Sequence, residues 1–177
     1  MILVAGIYRS ASTWMYNCIR VILEEKYSVY GCFIDNYDKE RKEQKHVVKI
    51  IKYDEVLAIN AEQVFTSYRN YEDIIASMKR RREVNKDERF ANEARWENLN
   101  NYLINLLMWQ SHSDYIMLYT TLEKHPFDVI GRIAQKLGVA VNVKRIKRKL
   151  DNLQIPKEGF NPVTLYHAGH RTNNNNV

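Results

Sequence analysis

Short β-branched runs that alternate with stretches of helical periodicity set the tightest limit on how this chain can fold. Residues 2–7 (ILVAGI), 28–34, 47–52 (VVKIIK), 63–68 (QVFTSY) and 115–119 (YIMLY) read as strands. Between them Met15, Cys18, Ile19, Ile22 and Leu23 recur on one helical face. Asn70 reads as an N-cap, with Asp73 as its reciprocal partner, for a helix carrying Ile74, Ile75 and Met78. A long helix is expected over 87–110 with Leu99, Leu103 and Leu106 on one side, and a basic helix over 142–152. Pro126 opens a helix whose Phe127, Ile130, Ile133, Ala134 and Leu137 face inward, and Gly138 ends it. The charged stretch 35–45 reads as a loop or a frayed helix. Strands alternating with helices predict an α/β fold, a mostly parallel central sheet flanked by helices.

At 177 residues and 45% apolar composition the chain is long enough for one well-buried core and too apolar for a disordered segment. A single domain is expected over 1–172, with residues 173–177 an Asn-rich tail. No run approaches the roughly 18 apolar residues of a membrane span. Met1-Ile2-Leu3-Val4-Ala5 has no basic segment before it and reads as a strand rather than a signal peptide. Cys18 and Cys32 are too few for a disulfide framework, so a cytoplasmic location is expected. The formal charge of +6 suits an anionic partner.

The first strand runs into Gly6-Ile7-Tyr8-Arg9-Ser10-Ala11-Ser12-Thr13-Trp14 and then a helix. A strand, a loop of small residues and a helix N-terminus together cradle phosphate, because loop amides converge where the helix carries partial positive charge. Aligned with G-x-x-x-x-G-K-[ST], Ala11 falls on the second glycine, Ser12 on the lysine and Thr13 on the hydroxyl. The phosphate-reaching lysine is missing, which disfavours a plain ATPase or kinase, and no G-x-G-x-x-G is present.

Tyr8-Arg9-Ser10-Ala11-Ser12-Thr13-Trp14 resembles the 5′-phosphosulfate loop of sulfotransferases, P-[KR]-S-G-T-T-W. Tyr8, Ala11 and Ser12 replace proline, glycine and threonine, and the Cβ of Ala11 restricts positive φ. Val64–Ser77 resembles the same family's 3′-phosphate segment, a strand followed by R-N-P-x-D-x-x-x-S. Arg69, Asn70, Asp73 and Ser77 match it in identity and spacing, and Tyr71 replaces the proline. Residues 115–139 resemble the family's late strand and helix through Tyr119, Leu122, Pro126 and Leu137-Gly138, with Thr120 and Thr121 in place of an acidic pair. The resemblance spans residues 2–140 and implies a P-loop-like sulfotransferase architecture.

It also implies a chemistry: a sulfuryl group passes from 3′-phosphoadenosine 5′-phosphosulfate (PAPS) to a hydroxyl or amine, with no metal required. Donor binding then falls to Arg9, Ser10, Ala11, Ser12, Thr13, Trp14, Arg69 and Ser77. Catalysis falls to Arg9 at the leaving phosphate and to Lys52 and Asp54, which stand where the family carries K-T-H. Asp54 replaces the usual histidine base; Glu55 is the alternative carboxylate, and an acid after a strand also serves as a helix cap. His46 lies at the wrong end of its strand, and Lys49, an alternative cation, points to the opposite face from Lys52. Trp14 suits either adenine stacking or the core.

His167, His170 and Arg171 surround Gly169, a composition like the late loop that closes over the nucleotide in relatives. With no cysteine or carboxylate nearby the histidines do not read as a metal site. The runs Lys79–Arg82 and Lys144–Lys149 read as solvated helix faces, or as attraction for a polyanionic donor or an acidic glycan. The acceptor is expected to be a small molecule or a glycan rather than nucleic acid. The rival readings are a non-catalytic basic nucleotide- or nucleic-acid-binding module and a kinase with a degenerate loop. Aromatics are not interleaved with the basic runs as single-strand binding favours.

Overall fold

The computed structural model describes residues 1–85 and 96–168, the side chains of 81–85 and 96–99 excepted. Five strands, β1 (Ile2–Ala5), β2 (Val29–Phe33), β3 (Lys45–Ile50), β4 (Gln63–Tyr68) and β5 (Tyr115–Leu118), form one sheet in the order β2-β3-β1-β4-β5. Every pairing in it is parallel. The helices are α1 (Ser12–Leu23), α2 (Glu55–Asn60), α3 (Tyr71–Asn85), α4 (Trp96–Ser111), α5 (Tyr119–Lys124), α6 (Pro126–Lys136) and α7 (Val143–Asp151), with a 3-10 turn at Ile34–Asn36.

Alternation along the strands splits the core into two layers. Ile2, Val4, Val47, Phe65 and Met117 face α1, α6 and α7, packing on Met15, Tyr16, Ile19, Ile133 and Ile146. Leu3, Ala5, Val48, Ile50 and Val64 face the other way, onto Ala58 of α2 and Trp109 of α4. Because both faces are covered, β1 is buried throughout and reads as one apolar run rather than an alternating one. A third cluster of Ile7, Ile74, Met78 and Leu106 ties α3 and α4 to the chain just past β1. Among the described residues no helix is long and apolar enough to cross a membrane.

The expected α/β architecture is the one observed; the boundaries move. β1 ends at Ala5, not Ile7, because the chain leaves the sheet at Gly6 to form its loop. β3 covers 45–50 rather than 47–52, since Lys45 and His46 pair with Val29 and Tyr30 while Ile51 and Lys52 run beyond the sheet. The stretch 35–45 holds only the short 3-10 turn before β3 begins. α2 and α5, of six residues each, were not foreseen. Less than two turns leaves no periodicity to read, and they are fixed by a cap at Asp54 and by burial of Leu122. The helix expected over 87–110 is described only as Trp96–Ser111, and the side chains of Arg81, Arg82 and Leu99 lie outside the described residues, as do Gly169, His170, Arg171 and the 173–177 tail. α7 is capped by Asn142, whose side chain accepts the Arg145 N–H at 3.0 Å. α6 ends as expected, with Gly138 at φ 65°.

Candidate functional site

β1 lies between β3 and β4, so the loop after Ala5 emerges between two strand ends. That is where parallel α/β sheets place ligands. The Gly6 N–H reaches the Ile50 carbonyl at 3.3 Å. A Cβ on Gly6 would stand 2.7 Å from Ser67 Oγ and 2.9 Å from Ser12 Cβ, so the tight turn requires glycine. Ser10 is fully buried and donates its hydroxyl to the Ile7 carbonyl at 2.7 Å. With that proton committed, Ser67 is the donor in the 2.7 Å contact between Ser67 Oγ and Ser10 Oγ. A hydroxyl from the end of β4 thus pins the loop from beneath.

Arg9 and Ala11 both adopt left-handed backbone, with φ of 65° and 70°. Ala11 is the N-cap of α1 and makes no side-chain cap. The left-handed turn demanded there is the reason the sulfotransferase pattern carries glycine, and this chain makes it with a Cβ in place, at a cost of about 1 kcal/mol. α1 opens with Ser12, packed against Gly6, and half-buried Thr13, and its first-turn amides have no intrahelical acceptor.

The second segment meets the first. Asn70 Oδ1 accepts the Glu72 N–H at 3.1 Å and starts α3, which carries Ser77 inward until 4% of it is exposed. Arg9 Nε donates to Ser77 Oγ at 2.9 Å, and Arg69 Nη1 donates to the Arg9 carbonyl at 3.2 Å. The guanidinium of Arg69 lies 3.8 Å from the ring centre of Tyr119. Burial pushes the Tyr119 phenol up and a hydrogen bond with Glu123 adds to that, while Arg69 and Arg9 both pull it down. The Nε of Arg69 is buried and has no hydrogen-bond partner among the described residues. A buried guanidinium N–H left without an acceptor is costly, and a phosphate oxygen satisfies it. The site residues therefore fit a phosphorylated nucleotide.

The end of β3 is the third component. Lys52 is exposed just beyond the strand. Asp54 is exposed and caps α2, its Oδ1 accepting the Leu57 N–H at 2.9 Å, and its other oxygen is uncommitted to that bond. Asn105 accepts the Tyr53 N–H and Trp109 donates its indole N–H to the Ile51 carbonyl at 3.2 Å, so α4 holds this segment in place. Lys49 is buried on the α1 face, and desolvation pulls its amine down to about 8. His46 sits at the opposite end of β3, bonded to Tyr37.

Trp14 is half-buried against the main core cluster, and Thr13 is half-buried beside it. The segment after α7 returns across α1: Asn17 donates to the carbonyls of Thr13 and Thr164 at 2.9 and 2.7 Å, and Tyr16 donates to the Val163 carbonyl at 3.1 Å. His167 stacks on Phe160 at 4.6 Å between ring centres. Sequence reading placed Tyr119 only as a structural position of the late strand and missed its contact with Arg69, and it missed Ser67 and the Tyr16–Asn17 anchor. Ser67, Tyr16 and Asn17 carry no motif, since their partners lie 57 to 147 residues away. Among the described residues no three His, Cys, Asp or Glu side chains gather as a metal site.

No protein-family model matches the sequence, and no curated protein does. Solved structures do. Mouse sulfotransferase SULT7A1 complexed with PAP superposes with a TM-score of 0.65 at 15% identity, over 88% of this chain and 68% of that one. Retinol dehydratase in a complex with retinol and PAP gives 0.61 at 15% identity, over 93% and 67%. Retinol dehydratase with androsterone and inactive cofactor PAP gives 0.60 at 14% identity, over 86% and 64%. The chain has the sulfotransferase fold and spans about two thirds of the length of these proteins.

Proposed function

We propose that this chain is a PAPS-dependent sulfotransferase that sulfates a hydroxyl or amine on a small-molecule or glycan acceptor. The observation that carries the reading is the convergence of Arg9, Ser77 and Arg69, from two segments distant in sequence, around a buried Arg69 Nε with no acceptor of its own among the described residues. The fold it shares with proteins solved with PAP supports the same reading.

In this reading Arg69 and Ser77 hold the 3′-phosphate, and the stack of Arg69 on Tyr119 fixes the plane in which its fork is presented. The amides opening α1, with Ser12 and Thr13, hold the 5′-phosphate. Arg9 spans the two positions, with its Nε on Ser77, and brings a guanidinium charge toward the leaving phosphate. Trp14 offers its exposed edge to the adenine. When bound, the donor supplies a sulfuryl group on a phosphate leaving group. Lys52 adds a cation at the transferring end, and the oxygen of Asp54 not held by its cap takes the acceptor's proton. Two buried, unpaired cysteines suit a reducing cytoplasm.

Calorimetric titration tests this reading. Binding of 3′-phosphoadenosine 5′-phosphate should be at least tenfold tighter than binding of 5′-AMP or ATP. Equal binding of all three would overturn the donor assignment and favour a general nucleotide-binding module.

A further inference from the structure

Lys49 is 8% exposed and lies near the carboxyl end of an interior strand, with its amine 5.4 Å from the centre of the Phe33 ring. Among the described residues its amine forms no hydrogen bond or ion pair. A dry, unpartnered ammonium is unfavourable for folding, and a methionine or leucine of similar volume would remove that penalty. Such a residue, in a ligand-bearing region of the fold, is a candidate for function rather than for packing.

Its placement says which ligand. Lys49 pairs in register with Val4, two residues before Gly6, and with Phe33, the last residue of β2. It shares a face with Val47, so it rises beside the start of α1. In the sheet order β3 lies across β1 from β4, which places Lys49 on the other side of the loop from Arg69 and Ser77. In that reading the 3′-phosphate has its side chains, Arg69 and Ser77, on the β4 side. The amine on the β2–β3 side is left for the second substrate.

We propose that Lys49 is an acceptor-specificity residue: its ammonium receives a carboxylate carried by the acceptor, so this chain acts on acidic hydroxyl compounds in preference to neutral ones. The inference rests on the sulfotransferase reading above. Phe33, half-buried beside the amine, supplies an apolar wall for the body of the same molecule. The amine, held near 8 by burial, stays mostly protonated at neutral pH, and a carboxylate alongside gives it the partner it lacks.

The test compares 4-hydroxyphenylacetate with its neutral analogue 4-hydroxyphenylethanol, titrated into the full chain with and without 3′-phosphoadenosine 5′-phosphate. Wild type should bind the acid at least tenfold more tightly. Lys49→Met should erase that preference and leave the affinity for 3′-phosphoadenosine 5′-phosphate unchanged, while Lys49→Arg should retain most of it. As a second readout, the acid but not the alcohol should protect Lys49 from reductive methylation, followed by mass spectrometry. Equal binding of acid and alcohol by wild type, or a preference that survives Lys49→Met, overturns the proposal. Loss of the nucleotide titration alone overturns the donor reading instead, because acid discrimination is read independently in the nucleotide-free arm.

Discussion

Arg9 and Ser77 are bonded, Nε to Oγ at 2.9 Å, across 68 residues of chain. One sits in a left-handed turn after β1, the other on the buried side of α3. Their contact joins the loop after β1 to the segment that opens α3, and the Arg69 bond to the Arg9 carbonyl closes the cluster.

Arg69→Ala should weaken 3′-phosphoadenosine 5′-phosphate by about 10- to 100-fold, the worth of charge-assisted hydrogen bonds to one phosphate. Affinity for 5′-AMP should barely change. Arg69→Lys should recover only part of the loss, because a lysine lacks the planar fork that lies on Tyr119. Calorimetry with both nucleotides checks each variant.

Ala11→Gly should stabilise the protein by about 0.5–1 kcal/mol. The strain of an L-residue at φ 70° disappears, and the extra backbone entropy of glycine offsets part of the gain. Ala11→Val should destabilise it, since branching at Cβ worsens the same crowding. Urea unfolding of the three proteins measures both.

Gly6→Ala should destabilise by about 1–3 kcal/mol. Its Cβ would meet Ser12 Cβ at 2.9 Å as well as Ser67 Oγ, and Ser12 is held by helix α1. Removing the hydroxyl by Ser67→Ala should therefore give only partial rescue in the double variant. A thermal melt of the single and double variants decides it.

Lys49→Met should raise stability by up to about 3 kcal/mol at neutral pH, the equivalent of the shift from 10.5 to about 8. Below pH 8 both folded and unfolded states keep the proton and the gain is full. Between 8 and 10.5 the folded protein has released the proton while the unfolded chain still holds it, so wild-type stability rises with pH and the gain fades. Denaturant midpoints at pH 7 and pH 10 show whether the difference closes.

Asp54 is separable into a cap and a base. Asp54→Asn keeps an acceptor for the Leu57 N–H, so stability should hold while the sulfation rate falls by about 100-fold or more. Asp54→Ala should lose about 1 kcal/mol in addition. If both variants keep the wild-type rate, Asp54 serves α2 alone, and Glu55 becomes the carboxylate to replace next.

The fold class and the two segments that build the candidate site were legible in the sequence because each depends on neighbouring residues. Alternating short strands and helices force a covered parallel sheet; Gly6 to Trp14 and Arg69 to Ser77 are continuous stretches whose spacing survives whatever the rest of the chain does. Asn70 as the start of a helix and Gly138 as the end of one are local for the same reason. The strand ends, the two six-residue helices and the partners Ser67, Tyr119, Tyr16 and Asn17 were decided by tertiary structure. So was the character of Lys49: a lysine within VVKIIK is unremarkable as sequence, and its burial exists only once β3 lies between β1 and β2 with α1 laid across them. Backbone conformation follows from the nearest few residues, whereas desolvation and the pairing of distant polar groups follow from the packing of the whole sheet.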